Sequence, residues 1–109
     1  MTSTPVTLIP GDWIGPETCE VVQQVIAAAG VEIDWDVQPI ENGTISESLI
    51  ESCQRNQVVL KAKVAAPRVA GKLPPTVELR RRLGLWATLR PVRELPGIPT
   101  RFPGIDLVV

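Results

Sequence analysis

The stretch that decides the fold is residues 6–17, VTLIPGDWIGPE, where a strand pattern gives way to the start of a helix. Residues 6–9 are apolar and mostly β-branched, and they end at the turn-forming residues 10–12, which is typical of a buried strand. Pro16 suits the first position of a helix, and Glu17 complements the positive helix end. The stretch therefore predicts a strand, a tight turn and a helix in immediate succession.

The same alternation continues in the first half of the chain. Gly30 is a helix stop, and residues 31–37 alternate apolar and acidic side chains like a half-exposed strand. Thr44 and Glu47 have the spacing of a capping box, which predicts the start of a second helix. The helix positions that we expect to be buried are Val22, Val25, Ile26 and Ala29 in the first helix and Leu49, Ile50 and Cys53 in the second.

The second half of the chain has a weaker pattern. We expect a strand at residues 58–60, a loop over 61–75 and a short helix over 77–83 with three arginines. Residues 85–89 have a strand composition, and residues 105–109 have the apolar run of a central parallel strand. The order of elements predicts an α/β fold in which helices flank a mixed, at least partly parallel sheet.

Composition limits the class of protein. A chain of 109 residues has room for one domain. Its net charge of -1, from 11 basic and 12 acidic residues, argues against binding to nucleic acid. No apolar run approaches the roughly 20 residues that span a bilayer, and no leader pattern opens the sequence. We therefore expect no membrane association and, by default, a cytoplasmic location.

The titratable residues limit the chemistry. Cys19 and Cys53 fall in two different helical patterns, so we interpret them as buried thiols rather than metal ligands. The sequence contains no His and no Tyr. Any acid-base chemistry within the chain must therefore come from Lys, Asp, Glu or Cys.

Two features leave alternatives open on physical grounds. The turn at residues 10–16 could direct backbone N–H groups towards an anion, or it could be an ordinary connection, because its glycine spacing fits neither G-x-G-x-x-G nor a P-loop. The arginines at 80–82 could bind a ligand or form a solvated basic helix face.

A family resemblance bears on both features. Residues 9–17, IPGDWIGPE, resemble the turn IPGDGIGPE that opens the isocitrate and isopropylmalate dehydrogenases, with Trp13 in place of a glycine. In that family the loop borders the cofactor cleft, so an indole there would obstruct the nucleotide or require a backbone angle that glycine adopts more easily. The resemblance implies cofactor contacts from Gly11, Asp12, Ile14, Gly15 and Lys61.

The stretch 58–91 resembles a second family segment, which ends in Leu-Arg and then Arg-Pro. The resemblance implies that Arg80 and Arg90 bind the carboxylates of the substrate, as the forked guanidinium allows, and that Thr76 supplies a polar contact. Arg81 and Arg82 are expected to be surface charges. Several ligand positions depart from the family pattern: Ala62, Lys63, Ala65, Ala66, Leu73 and Pro74.

The resemblance is closest to NAD-dependent isocitrate dehydrogenase and implies oxidative decarboxylation of isocitrate to 2-oxoglutarate. It also implies NAD as cofactor, with NADP as the alternative, and Mg²⁺ or Mn²⁺. The substrate would be a small 2-hydroxy tricarboxylic or dicarboxylic acid. The expected assembly is a homo-oligomer or self-association through the exposed strand at 105–109.

In the family, the metal ligands and the acid-base residues lie beyond the matching part. We therefore assign no catalytic residue and no metal ligand in this sequence, and we expect residues 1–109 to be a single partial domain, the N-terminal segment of such an enzyme, inactive alone. The alternative is a non-catalytic α/β fragment that acts as a binding or interaction module.

Overall fold

The computed structural model describes residues 3–65 and 70–109. Ala66, one of the positions that depart from the family pattern, lies outside these residues. None of the helices in the described part has the length and apolar character needed to cross a bilayer. The α/β class is confirmed by the elements, which are β1 (Thr4–Ile9), α1 (Gly15–Ala28), β2 (Ile33–Val37), α2 (Glu47–Asn56), β3 (Val59–Lys61), α3 (Pro75–Arg82), β4 (Pro91–Arg93) and β5 (Asp106–Val108).

A parallel sheet with the order β2-β1-β3 forms the centre of the fold. Thr4 of β1 is paired with Ile33, and Thr7 is paired with Val59 on the other side. Because the strands are parallel, β1 and β3 end at the same edge of the sheet, where α/β proteins place their ligands. The turn predicted at residues 10–12 therefore lies beside the segment that follows Lys61.

The hydrophobic core lies between this sheet, α2 and α3. The predicted face of α2 is confirmed, because Leu49, Ile50 and Cys53 are all buried. They form one cluster with Ile9, Ile40, Ile45 and Leu79. Burial raises the pKa of the Cys53 thiol, which makes it a poor nucleophile.

The predicted face of α1 is wrong in part. Cys19 is the buried side chain of the helix, whereas Val22 and Ile26 are half-buried and Val25 is 62% exposed. Ala29 is exposed as well. The apolar side chains do recur at helical spacing. In the described part of the chain, however, nothing covers the side of α1 that carries Val25 and Ala29. Both cysteines are free and buried, as predicted.

The predicted capping box at Thr44 and Glu47 is also wrong. The N-cap of α2 is Ser46, whose hydroxyl accepts a hydrogen bond of 3.2 Å from the Leu49 N–H. Thr44 instead closes a tight turn, since its N–H donates to the Glu41 carbonyl at 2.9 Å. That turn contains Asn42 and Gly43, both with positive φ, which explains why the helix begins later.

One strand prediction in the second half fails, and another is confirmed only in part. Residues 85–89 form no strand, because no neighbouring strand pairs with them in the described part of the chain. The strand expected at 105–109 exists as β5, but it is antiparallel to β4 in a separate ribbon. The connection 94–105 contains no helix, and parallel pairing requires a crossover of a dozen or more residues that usually includes one.

A polar network fastens α2 to the sheet. The fully buried hydroxyls of Thr7 and Ser52 lie 2.6 Å apart, and Ser52 also donates to the Asp36 carboxylate at 2.6 Å. The same carboxylate oxygen accepts from Arg55 at 2.5 Å. Asp36 was expected on the solvent-facing side of its strand, yet its carboxylate is the anchor of the helix.

We expect Asp36 to make the stability of the protein sensitive to acid. The hydrogen bond from Ser52 is the largest cause that holds the pKa of Asp36 below its usual value, followed by that from Gln38. The folded state therefore favours the ionised carboxylate, so its contribution is complete above about pH 4 and declines as the pH falls through the lower, folded pKa. Urea unfolding across this range should show a shallower acid decline for Asp36→Asn than for the parent. Equal slopes would contradict this role.

Candidate functional site

The turn after β1 and the segment after β3 interlock. The Asp12 N–H donates to the Lys63 carbonyl at 3.0 Å, and the Asp12 carboxylate accepts from the Ala65 N–H at 3.0 Å. The Ala62 N–H donates to the Ile9 carbonyl at 2.9 Å. Asp12, expected as a cofactor contact, therefore uses both its backbone and its side chain to hold residues 62–65.

The two glycines of the turn are required by packing. Gly11 has a φ of +70°, and a Cβ on it would lie 2.2 Å from the Lys63 carbonyl oxygen. A Cβ on Gly15 would lie 2.3 Å from the Pro10 carbonyl oxygen. Both spaces are occupied by the backbone of this chain, so neither glycine leaves room for a ligand to approach at that point.

The N-terminus of α1 has few N–H groups to offer an anion. Gly15 donates to the Asp12 carbonyl at 2.9 Å, Pro16 has no N–H, and Thr18 donates to the Ile14 carbonyl at 3.0 Å. The Glu17 carboxylate adds negative charge to the first turn. Gly15 and Thr18 therefore have no N–H group left for the diphosphate of a dinucleotide, and their contacts favour a tight connection.

Trp13 adopts the backbone conformation that its glycine counterpart would adopt more easily. Its φ is +59°, and its indole is 89% exposed. A side chain in this left-handed region is strained, and an exposed indole gains little burial in return. Ile14 is exposed beside it. Two large apolar side chains thus project from the turn.

We expect Trp13→Gly to stabilise the protein by about 1 kcal/mol, because relief of the left-handed strain exceeds the added entropy of the unfolded chain. Urea unfolding gives the free energy directly. As a matched control, Trp86→Gly removes an equally exposed indole from a residue that does not have positive φ, and it should not stabilise. Equal effects of the two substitutions would contradict the strain.

An open cleft of about 570 Å³ lies between the ends of β3, α2 and α3. It brings together three predicted site residues, Lys61, Thr76 and Arg80. Each of the three carries a polar or cationic group, whereas most of the surface that lines the cleft is apolar. The remaining lining residues are Cys53, Gln54, Gln57, Val59, Leu79, Leu83 and Leu85.

Both cations of the cleft keep free donors. The Lys61 ammonium donates to the Ala62 carbonyl at 2.8 Å, and burial lowers its pKa. The Arg80 guanidinium donates to the Thr88 hydroxyl. An ammonium has three N–H groups and a guanidinium five, so each has donors left for an anionic ligand.

The structure does not bring the other predicted residues into the cleft. The side chain of Arg90 is exposed and absent from the lining, while its backbone N–H donates to the Val109 carbonyl at 2.8 Å. Gly11, Asp12, Ile14 and Gly15 belong to the turn after β1 rather than to the cleft.

Sequence reasoning missed several residues here. Gln54 and Gln57 line the cleft, and Gln57 ends α2 in a left-handed conformation that its residue type does not signal. Arg82, predicted to be a surface charge, is half-buried and paired. Its guanidinium pairs with Glu47 at 2.5 Å and donates to the Ile45 carbonyl at 3.1 Å, which ties α3 to the start of α2. A charge pattern cannot reveal such a distant partner.

The acidic and cysteine side chains are the possible metal ligands of this sequence. Within residues 3–65 and 70–109, no three of them form a group that could hold a metal ion.

Comparison with known proteins gives the same class as the fold and the motifs. The sequence model for isocitrate/isopropylmalate dehydrogenase matches residues 5–108. The chain therefore belongs to the isocitrate/isopropylmalate dehydrogenase family. It is 42% identical, over 97% of its length, to the mitochondrial NAD isocitrate dehydrogenase catalytic subunit 6 of Arabidopsis thaliana.

Two further relatives extend the comparison. A mitochondrial NAD isocitrate dehydrogenase regulatory subunit of Dictyostelium discoideum is 38% identical over 95% of this chain. The crystal structure of isocitrate dehydrogenase from Methylococcus capsulatus superposes with a TM-score of 0.83 at 33% identity, covering 95% of this chain and 33% of that one. This chain spans 31% of the Arabidopsis relative and 30% of the Dictyostelium relative.

The expected cytoplasmic location is wrong on this comparison, because both curated relatives just described are mitochondrial subunits. Composition and the lack of an apolar span supplied only a default. Neither property specifies a compartment.

Proposed function

We propose that this chain supplies substrate-carboxylate contacts of an NAD-dependent, decarboxylating dehydrogenase that acts on isocitrate. The observation that carries the proposal is the cleft in which Lys61, Thr76 and Arg80 come together. Its volume of about 570 Å³ is in the usual range for small-molecule sites. Residues 1–109 would be one partial domain of the whole protein.

The cleft suits a polycarboxylate for electrostatic reasons. Arg80 offers a planar fork to one carboxylate. Lys61, which the family resemblance assigns to the cofactor, lies in the same cleft and offers a compact charge to another carboxylate. The apolar walls, including Leu79 and Leu83, lower the local dielectric and strengthen both interactions. The Thr76 hydroxyl can donate to or accept from the substrate. A tricarboxylate should therefore bind more tightly than a dicarboxylate such as isopropylmalate.

In the proposed reaction, the residues of this chain bind and orient the acid. NAD, or NADP as the alternative, would accept a hydride from the 2-hydroxyl carbon, and Mg²⁺ or Mn²⁺ would neutralise the oxyanion that forms on loss of CO2. Arg90 remains the proposed second guanidinium for a substrate carboxylate. The relatives named as subunits support an oligomeric whole protein.

A non-catalytic subunit is the second candidate. The similarity to a regulatory subunit, at 38% identity, approaches that to a catalytic one. In addition, the Asp12 turn is occupied by contacts within the chain. Such a protein would bind the acid without turning it over. For the 109-residue chain alone we expect no isocitrate oxidation in either case.

The test is an NMR titration of the ¹⁵N-labelled chain with isocitrate. We expect saturable shifts of the amide signals of Lys61, Thr76 and Arg80, and weaker binding of isopropylmalate. NAD added alone should leave these three signals in place. Shifts confined to other residues, or tighter binding of isopropylmalate, would contradict the proposal.

A further inference from the structure

The guanidinium of Arg80 is held by a residue outside the helix that carries it. It donates to the hydroxyl of Thr88, which follows eight positions later in the chain. We propose that Thr88 is a positioning residue, which restricts the guanidinium of Arg80 while leaving its charge free to bind a carboxylate. The inference deepens the proposed function and rests on it, because Arg80 is there the group that binds the acid.

The end of α3 brings Thr88 back to Arg80. The Gly84 N–H donates to the Arg81 carbonyl at 3.1 Å, and the Leu85 N–H donates to the Arg80 carbonyl at 3.0 Å. These two hydrogen bonds are the pair that closes a helix in a Schellman motif, with a glycine in the left-handed position. Gly84 has a φ of +65° and open space around its missing Cβ, so the backbone conformation requires it. The chain therefore turns back at this point, and Arg80 is held at its carbonyl by Leu85 and at its guanidinium by Thr88.

The chemistry of the acceptor distinguishes Arg80 from the arginines that form ion pairs. Within residues 3–65 and 70–109, the arginines paired with a carboxylate are Arg55, Arg82 and Arg93. A carboxylate partner neutralises a guanidinium and occupies part of the fork that an anionic ligand would use. The hydroxyl of Thr88 is neutral, so it orders the guanidinium of Arg80 without cancelling its charge.

The contact leaves the guanidinium able to bind a carboxylate through two N–H groups. Arginine has no acceptor, so the Thr88 oxygen accepts, and the contact uses an N–H of Nη2 but none of Nη1 or Nε. Both residues are exposed, so without this contact the long side chain of Arg80 would sample many rotamers in water. A side chain that is already ordered loses less conformational freedom when the acid binds.

Thr88→Val tests this role, because it removes the acceptor and keeps a side chain of almost the same shape. We expect the affinity for isocitrate to fall about threefold to tenfold, the effect of ordering one long side chain on binding. Thr88→Ser keeps the hydroxyl and should restore the parent affinity. Thr100→Val is the matched control, since it removes the hydroxyl of another exposed threonine, which donates to Glu94 at 3.2 Å. This control should leave the affinity unchanged.

A double-mutant cycle separates positioning from direct contact with the acid. If Thr88 acts through Arg80, Thr88→Val should cause no further loss of affinity once Arg80→Gln has removed the guanidinium. A Thr88 hydroxyl that touched the acid itself would cause the same loss in both backgrounds, which would overturn the positioning role. Circular dichroism verifies that each variant is folded.

An NMR measurement without ligand tests the contact independently of the proposed function. In the ¹⁵N-labelled parent we expect the Nε–H signal of Arg80 to be resolved from that of Arg81, which is exposed on the same helix. Thr88→Val should move the Arg80 signal towards the Arg81 signal, and Thr88→Ser should not. An unchanged Arg80 signal in Thr88→Val, or an unchanged affinity for isocitrate, overturns the inference. A parent that binds no isocitrate overturns the proposed function instead, and the Arg80 signal then decides alone whether Thr88 holds the guanidinium.

Discussion

Gly11→Ala should destabilise the protein by about 3 to 4 kcal/mol, the largest effect that we expect from any single methyl group in the chain. The added Cβ would lie 2.2 Å from the Lys63 carbonyl oxygen, and the φ of +70° disfavours any side chain. The backbone of the segment after β3 would have to move. That movement would break the hydrogen bond from the Asp12 N–H to Lys63.

Gly30→Ala separates the steric clash of the added Cβ from the strain of a positive φ. Gly30 has a φ of +77°, but no atom lies within 4 Å of its missing Cβ. This control should therefore lose only about 1 kcal/mol, the contribution of the backbone conformation. Urea unfolding of both variants gives the comparison. Equal losses of unfolding free energy for the two variants would mean that the close approach of Gly11 to Lys63 does not cause the destabilisation.

Leu49→Ala should cost about 3 kcal/mol. The side chain is fully buried, at 0% exposure, in the cluster that joins β1, α2 and α3. Truncation leaves a cavity that the surrounding Ile9, Ile45 and Leu79 can fill only in part. The Ser46 cap and the Asp36 network still hold α2 in this variant. We therefore expect unfolding at a lower urea concentration, with an unchanged slope of unfolding free energy against urea concentration.

The matched control for this prediction is Leu89→Ala. Leu89 is 79% exposed in the irregular segment before β4, so its truncation should change the free energy of unfolding by less than about 0.5 kcal/mol. A loss at Leu49 as small as that at Leu89 would mean that the cluster is not the core of this fold.

Local patterns predicted the elements of the first half because strands and helices there find their partners nearby. The β1 strand, its turn and α1 follow from VTLIPGDWIGPE, and the face of α2 follows from the spacing of Leu49, Ile50 and Cys53. Residues 85–89 show the limit of this reasoning. Their composition is that of a strand, but a strand forms only where a partner supplies hydrogen bonds.

The candidate site was predictable only through family likeness, and then only in part. Spacing could not show that Thr76 and Arg80 share a cleft with Lys61, because the contact depends on how α3 packs against the end of β3. It also could not show that Asp12 holds Ala65, which is 53 positions away. The glycines of the turn illustrate the same point. A ligand contact and a close backbone approach require the same residue type.

The proposed function requires that Arg80 bind a carboxylate of isocitrate in the cleft beside β3. The most direct measurement compares isocitrate affinity, by calorimetry or NMR titration, for the parent, Arg80→Gln and Arg81→Gln. Arg81 is the matched control, since it is an exposed arginine of the same helix that does not line the cleft. We predict a loss of about tenfold or more for Arg80→Gln and little change for Arg81→Gln. Equal affinities for the two variants would contradict the claim.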